Sequence, residues 1–202
     1  MKGYYFITDP VCSIAGVMSD VEKAISVGVR IIQYRNKTAQ TRTLYEEALQ
    51  IKKMCAGSGC LLIINDRIDI ALAVDADGVH IGQEDMPYQE ARRLLGDKII
   101  GVTVHDLDEA LLAEEWGADY LGVSPIFSTA TKSDAGVPCG LEALRAIRGA
   151  CKLPIAAIGG IDLSNARFVI EAGADMVCAI SAVVAKADVT AEIKRFQKEC
   201  DL

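Results

Sequence analysis

The sequence predicts an α/β fold, a (β/α)8 or TIM barrel, in one compact domain that spans residues 1–202. Three observations predict it: eight short apolar runs, amphipathic stretches between them, and polar clusters at the C-terminal ends of several runs. Short, continuous apolar runs are typical of parallel strands that are buried on both faces. A barrel of such strands gathers their C-terminal ends around one mouth, so residues far apart in sequence can share one site.

The predicted strands and helices alternate along the whole chain. The strands are 4–8, 30–34, 61–64, 78–81, 99–102, 120–123, 155–158 and 176–180. The amphipathic stretches that predict helices are 20–27, 41–56, 86–95, 107–116, 141–148, 163–172 and 189–198. Gly117 and Gly173 each end a helix shortly before the next strand, because glycine accepts the left-handed conformation found there. An open doubly wound sheet is the alternative, but it usually has fewer strands, and no Gly-x-Gly-x-x-Gly pattern follows the first strand.

Composition restricts the class of protein. The net charge is −7 with acidic residues spread along the chain, which argues against a nucleic-acid partner. No apolar run approaches the roughly 20 residues that span a bilayer, and the N-terminus lacks a signal-peptide pattern, so we expect a cytoplasmic protein without a membrane partner. Seven cysteines without a Cys-x-x-Cys pair indicate reduced thiols. A homo-oligomer remains compatible with the sequence.

Two aspartates form the candidate metal site. Asp66 follows the third predicted strand and Asp85 follows the fourth. Because neighbouring strands lie about 5 Å apart, the two carboxylates can converge on one Mg²⁺ ion. The alternative is that each aspartate caps the helix that follows it, near Arg67 and near Pro87. The spacing alone leaves both interpretations open.

A basic cluster follows the second predicted strand. Gln33, Arg35 and Lys37 alternate along the chain and can therefore point the same way. The guanidinium and the ammonium are strong donors for an anionic group. The alternative is a solvated loop with a charged face, but a position at the C-terminal end of a barrel strand favours a site.

The polar residues after strands six, seven and eight indicate a second anion site. The long connection at 124–139 contains Thr129, Thr131 and Lys132, whose hydroxyls and ammonium suit phosphate. Gly160 follows the seventh strand and Ser181 the eighth, where barrels often bind phosphate through backbone N–H groups. An exposed loop and simple turn chemistry are the alternatives at these positions.

Five segments, in this order and spacing, together resemble thiamine phosphate synthases. The resemblance covers nearly the whole chain, and the segments are 33–37, 64–67, 77–86, 125–132 and 157–161. It implies a TIM barrel that joins 4-amino-5-hydroxymethyl-2-methylpyrimidine diphosphate to a thiazole phosphate, forming thiamine phosphate and releasing pyrophosphate. The implied chemistry is a dissociative displacement that needs no side-chain nucleophile.

The resemblance also implies roles for individual residues. The pyrimidine diphosphate would be bound by Gln33, Arg35, Lys37, Asn65, Thr103 and Lys132. The thiazole phosphate would be bound by Thr129, Thr131, Gly160, Ile180 and Ser181. Asp66 and Asp85 would hold Mg²⁺, while Arg35, Lys37 and Lys132 would neutralise the leaving pyrophosphate. Tyr34, Asn36 and Ala130 lie within the same segments and complete the predicted substrate site.

Two other functions compete with this interpretation. A thiazole tautomerase of the TenI type uses the same barrel but does not need the paired carboxylates. A non-catalytic regulator that binds thiamine precursors would have kept the pocket and lost turnover. The presence of Asp66, Asp85, Asn65 and Lys132 favours the synthase.

Overall fold

The apolar runs form parallel strands in the computed structural model, which describes residues 1–129, 131 and 136–200. The strands are β1 (Gly3–Tyr4), β2 (Phe6–Ile7), β3 (Ile31–Tyr34), β4 (Leu61–Asn65), β5 (Gly78–Ile81), β6 (Ile99–Val104), β7 (Tyr120–Val123), β8 (Ile155–Ile158) and β9 (Met176–Cys178). The helices are α1 (Val17–Ser26), α2 (Thr41–Cys55), α3 (Ile68–Ala73), α4 (Tyr88–Leu95), α5 (Leu107–Trp116), α6 (Gly140–Ala150), α7 (Ala166–Glu171), α8 (Ser181–Val184) and α9 (Val189–Cys200).

The strands close into a barrel, which confirms the predicted fold class. Within the described residues they form one sheet in the order β1-β9-β8-β7-β6-β5-β4-β3-β2, and all neighbours are parallel. β1 and β2 together occupy the place of the single predicted first strand, with Tyr5 between them. Because β1 pairs with β9 and β2 pairs with β3, this first strand joins the two ends of the sheet.

Some element boundaries differ from the prediction. The helices α3 and α8 were not among the predicted helices, since six and four residues are too few for an amphipathic period to show. Strand β6 continues to Val104, two residues beyond the predicted end, and so includes the polar Thr103. Strand β9 ends at Cys178, two residues early. These two strand ends, each wrong by two residues, both lie at the mouth.

Alternation along the strands produces two separate apolar cores. Ile32, Leu62 and Leu121 point outward and pack against the helices in the larger core. Tyr5, Ile7, Ile31, Ile63, Tyr120, Ala156, Met176 and Cys178 fill the interior of the barrel. The interior core therefore forms the bottom of the cavity at the mouth.

The longest described helix, α2, has 15 residues. Across the part of the chain that the structure describes, no helix is long and apolar enough to cross a membrane.

Candidate active site

One cavity of about 720 Å³ opens at the C-terminal ends of the strands. It brings together nine of the predicted substrate-binding residues, from both halves of the mouth. They are Gln33, Arg35, Asn65, Thr103, Thr129, Thr131, Gly160, Ile180 and Ser181. Ala130 and Lys132, also predicted here, lie outside the described residues. Two sites predicted from separate clusters thus share one space.

Arg35 is held in place by the loop that follows β2. Its Nη1 donates to Asp9 Oδ2 at 2.9 Å, and its backbone N–H donates to Thr8 Oγ1 at 2.9 Å. Asp9 is itself buried and uses its other oxygen to accept the backbone N–H groups of Val11 and Cys12. Asp9 therefore fixes both the loop and the guanidinium. Asp9 was not among the predicted site residues.

Tyr34 and Asn36 point away from the large cavity. Because side chains alternate along a strand, they face the helix layer while Gln33 and Arg35 face the mouth. The Tyr34 hydroxyl and the Asn36 amide both donate to the carboxylate of Glu47 on α2. Both residues line a smaller cavity of about 140 Å³ beside the large one. The structure does not bring their side chains to the other predicted substrate residues of the large cavity.

The carboxylates of Asp66 and Asp85 lie next to each other, and neither caps a helix. The N-termini of α3 and α4 have no side-chain cap. Asp66 Oδ2 is 2.8 Å from the Nζ of Lys37, and Asp85 Oδ2 accepts the Gly82 N–H at 2.6 Å. Burial raises the pKa of Asp85, and the negative charge of Asp66 raises it further against the lowering effect of the Gly82 N–H.

This pair has the chemistry of a magnesium site. Two adjacent carboxylates repel each other, and a hard divalent cation between them would relieve that repulsion. Among the described residues, no third His, Cys, Asp or Glu joins them in a metal-binding group. Magnesium commonly binds through one or two carboxylates and completes its shell with water and substrate phosphate, so the donor set fits.

The hydroxyl-rich loop packs against the ends of β8 and β9. Thr131 Oγ1 donates to Ser181 Oγ at 3.2 Å, and the Thr131 N–H donates to Thr129 Oγ1 at 3.2 Å. Gly160 has a φ of +62°, and a Cβ there would lie 2.5 Å from the carbonyl oxygen of Ser128. Glycine is therefore required for the close approach of the loop. Four residues predicted for the second anion site, Thr129, Thr131, Gly160 and Ser181, therefore lie together.

A row of hydrogen bonds crosses the floor of the cavity. Gln33 Nε2 donates to the Tyr5 hydroxyl at 3.0 Å, and the hydroxyls of Tyr5 and Tyr120 are 2.9 Å apart. His80 Nδ1 lies 2.9 Å from the Tyr120 hydroxyl, and its Nε2 lies 2.8 Å from Thr103 Oγ1. Tyr5 and Tyr120 also line the cavity. Neither tyrosine was among the predicted site residues, because an aromatic residue in an apolar strand indicates core packing.

Comparison with known proteins gives consistent matches over most of the chain. The family model described as "Thiamine monophosphate synthase" matches residues 4–183. A thiamine-phosphate synthase of Methanosarcina barkeri is 54% identical over 194 residues, covering 96% of this chain and 88% of that protein. One from Chloroflexus aurantiacus is 55% identical over 177 residues, covering 88% and 82%. The solved thiamine phosphate pyrophosphorylase of Pyrococcus furiosus has a TM-score of 0.92 at 41% identity, covering 98% and 95%.

Proposed function

This chain belongs to the thiamine monophosphate synthase family, and from that membership we propose how it makes thiamine phosphate. It joins 4-amino-5-hydroxymethyl-2-methylpyrimidine diphosphate to a thiazole phosphate and releases pyrophosphate. The observation that carries the proposal is the cavity of about 720 Å³, which is lined by residues of both predicted clusters. A reaction between two phosphorylated substrates needs two anion sites that open into one space, because the reacting atoms must meet.

The diphosphate half of the mouth binds and activates the pyrimidine substrate. Gln33 and Thr103 contact the ring, since both are buried at the cavity floor. Arg35 and Lys37 bind the diphosphate, and so does Lys132, a role that the family resemblance implies. These cations stabilise the negative charge that develops as pyrophosphate leaves. Asn65 lines both cavities and lies between the ring and the diphosphate.

Asp66 and Asp85 are the residues that would hold magnesium. When bound, the ion supplies positive charge that neutralises the leaving pyrophosphate. Lys37 already neutralises Asp66 at 2.8 Å, so its ammonium belongs to the same charge cluster.

The second half of the mouth binds the thiazole phosphate through Thr129, Thr131 and Ser181 hydroxyls and the backbone at Gly160 and Ile180. Pyrophosphate departs before the thiazole nitrogen bonds, leaving a pyrimidine-stabilised carbocation. The residues of this chain hold both substrates in line and exclude water from the cation. No side-chain nucleophile takes part in the reaction.

Residues 1–202 act as one domain in the cytoplasm, on small molecules rather than on nucleic acid or a membrane. Arg35 lines the cavity and Lys37 lies beside Asp66, and this local positive charge supports small anionic substrates although the net charge is −7.

The test is a two-substrate assay that measures pyrophosphate and thiamine phosphate together, with Mg²⁺ and with a chelator. We expect equal amounts of both products with Mg²⁺, and neither product when one substrate is omitted. Conversion of the thiazole phosphate alone, without pyrophosphate, would identify a tautomerase instead. Binding of both substrates without any conversion would identify a regulator.

Replacement of Asp85 by Ala tests the magnesium assignment. We expect Asp85→Ala to lose product formation while its circular dichroism spectrum and melting temperature stay close to those of the wild type. Glu84→Ala is the matched control, because Glu84 is an exposed carboxylate one residue away. Wild-type turnover by Asp85→Ala would remove Asp85 from the metal site.

A further inference from the structure

Glu47 on α2 is the common acceptor for two side chains at the end of β3. The Tyr34 hydroxyl and the Asn36 amide nitrogen both donate to Glu47 Oε2, the second of them at 3.3 Å. Burial raises the pKa of the Tyr34 phenol, and the hydrogen bond to Glu47 raises it further, so Tyr34 stays a protonated donor. Both donors belong to one short segment, and the carboxylate therefore ties that segment to the helix.

The contacts of the Asn36 amide allow only one orientation. Its Oδ1 accepts the backbone N–H groups of Thr38 at 3.3 Å and Ala39 at 3.1 Å, and also the Thr38 hydroxyl at 3.2 Å. A backbone N–H can only donate, and a carboxylate can only accept. A turned amide would place its nitrogen against two donors and its oxygen against Glu47. Asn36 therefore connects Glu47 to the backbone of the turn at 36–39.

Lys37 lies inside this turn, between the residues that the Asn36 amide joins. Its Nζ is 2.8 Å from Asp66 Oδ2, and its side chain is 43% exposed. Because packing does little to restrain so exposed a side chain, the backbone of the turn determines where the ammonium reaches. Asn36, Lys37 and Asp66 line the same cavity of about 140 Å³. The position of Lys37 thus depends on the contacts of its neighbour.

The helix α2 gives the carboxylate a fixed base. Leu44, Ala48 and Ile51 on this helix are buried and pack into the larger core between helices and strands. Glu47 precedes Ala48 directly and is half-buried, whereas Glu46 is exposed. Glu47 therefore lies at the edge of the packed face, where its carboxylate is held relative to the barrel.

We propose that Glu47 is a positioning residue for the diphosphate half of the mouth. Acting through Asn36, it holds the turn at 36–39 and keeps the Lys37 ammonium where the diphosphate binds. A cation that is in place before the substrate arrives stabilises the leaving group without a further cost for ordering its backbone. Glu47 itself contacts no substrate. The inference rests on the proposed function, which assigns the diphosphate to Lys37.

The test measures the affinity for inorganic pyrophosphate in the presence of Mg²⁺ by titration calorimetry, which needs no turnover. We expect Glu47→Ala to weaken binding by about tenfold or more, the usual size of a lost hydrogen bond to a charged group. Asn36→Ala should weaken it by a similar factor, because it cuts the next link and leaves Tyr34 paired with Glu47. It also decides the question if Glu47→Ala does not fold.

Two further variants separate hydrogen bonding from charge. Glu47→Gln should bind pyrophosphate as tightly as the wild type, because one amide oxygen can accept both bonds that Glu47 Oε2 accepts. Glu46→Ala is the matched control, since it removes the neighbouring exposed carboxylate of the same helix. It should also keep the wild-type affinity.

A double-mutant cycle with Lys37 distinguishes positioning from a purely structural role. In a Lys37→Met protein, Glu47→Ala should weaken binding no further, because the ammonium that it positions is absent. An equal loss with and without Lys37 overturns the inference, and so does wild-type affinity in a folded Asn36→Ala protein. Glu47→Gln binding as weakly as Glu47→Ala, or a wild type that does not bind pyrophosphate, also overturns it. The expected affinities in a protein that forms no thiamine phosphate would instead contradict the proposed function alone.

Discussion

At the scale of single residues, Asp9 is the partner that fixes Arg35. Its Oδ2 accepts from Arg35 at 2.9 Å, while Oδ1 accepts from two backbone N–H groups. Asp9→Asn can keep the backbone contacts through the amide oxygen but loses the charge that faces Arg35. We expect kcat/KM for the pyrimidine diphosphate to fall about tenfold, which corresponds to about 1.4 kcal/mol and is typical of a charge-assisted hydrogen bond. Steady-state kinetics measure this change.

Asp75→Asn is the control for that substitution. Asp75 also pairs with a cation, Lys98 at 2.6 Å, but its side chain is 88% exposed. An exposed ion pair contributes little, so this variant should keep wild-type kinetics. Equal kinetics for the Asp9 and Asp75 variants would show that Arg35 does not need its carboxylate partner.

Asp20 is a buried acid with an incomplete set of partners. It is 1% exposed, and its Oδ1 has no hydrogen-bond partner among the described residues. Burial raises its pKa above the ordinary value of 3.8, against the lowering effect of the hydrogen bond from Ser13. The folded state then binds more protons than the unfolded state, so stability must fall as pH rises from that ordinary value through the raised one.

Asp20→Asn should remove this pH dependence. At neutral pH we expect a free energy of unfolding about 1 kcal/mol higher than that of the wild type, because an unpaired charge no longer has to be buried. Urea denaturation at a series of pH values upward from about 4 measures the difference. If the wild type and the variant lose stability in parallel over that range, the ionisation of Asp20 does not limit stability.

At the scale of elements, two glycines differ in whether a neighbouring side chain occupies the position that a Cβ would take. A Cβ at Gly101 in β6 would overlap the Tyr120 ring at 2.0 Å, whereas a Cβ at Gly149 in α6 would meet nothing within 4 Å. We expect Gly101→Ala to lower the free energy of unfolding by about 2 kcal/mol or more through overpacking. Gly149→Ala should raise it by about 0.5 kcal/mol through helix propensity. Chemical denaturation of both variants measures the contrast, and destabilisation of similar size in both would contradict it.

The sequence allowed the order of these elements to be predicted better than their ends. The runs at 78–81, 120–123 and 155–158 match β5, β7 and β8 residue for residue, because apolarity and pairing stop together. At β9 the apolar run continues beyond the end of strand pairing. Ala179 and Ile180 are apolar, but their backbone leaves the sheet before α8 begins. A sequence records apolarity, whereas a strand end depends on where its neighbours stop.

The residues of the candidate site could likewise be predicted only in part. The charged and hydroxyl-bearing side chains at strand ends could be predicted, because they interrupt apolar runs. Tyr5 and Tyr120 could not be distinguished from core residues, since their polar role comes from partners 28 and 115 residues away. The sequence did contain one signal for these tyrosines, the glycines Gly101 and Gly122 inside strands. A glycine inside a strand often marks a place where another group closely approaches the backbone.

At the scale of the whole molecule, the last helix joins the end of the chain to its beginning. Phe196 in α9 is fully buried and stacks on Tyr4 of β1, with ring centroids 5.3 Å apart. The Tyr4 hydroxyl in turn donates to the carbonyl of Ala179 at 2.7 Å, directly before Ile180 and Ser181, which are proposed to bind an anion. The packing of α9 thus supports both the first strand and one half of the mouth.

Phe196→Ala should therefore weaken the fold and one substrate site together. We expect the free energy of unfolding to fall by about 3–5 kcal/mol, as is usual when a buried phenylalanine is truncated. We also expect KM for the thiazole phosphate to rise more than KM for the pyrimidine diphosphate, because Tyr4 donates to Ala179, next to the residues proposed to bind the thiazole phosphate. Phe168→Ala is the control, since Phe168 is 54% exposed on α7 and its loss should cost no more than about 0.5 kcal/mol. An equal rise of both KM values in Phe196→Ala would show that α9 stabilises the barrel as a whole and does not specifically support the thiazole side.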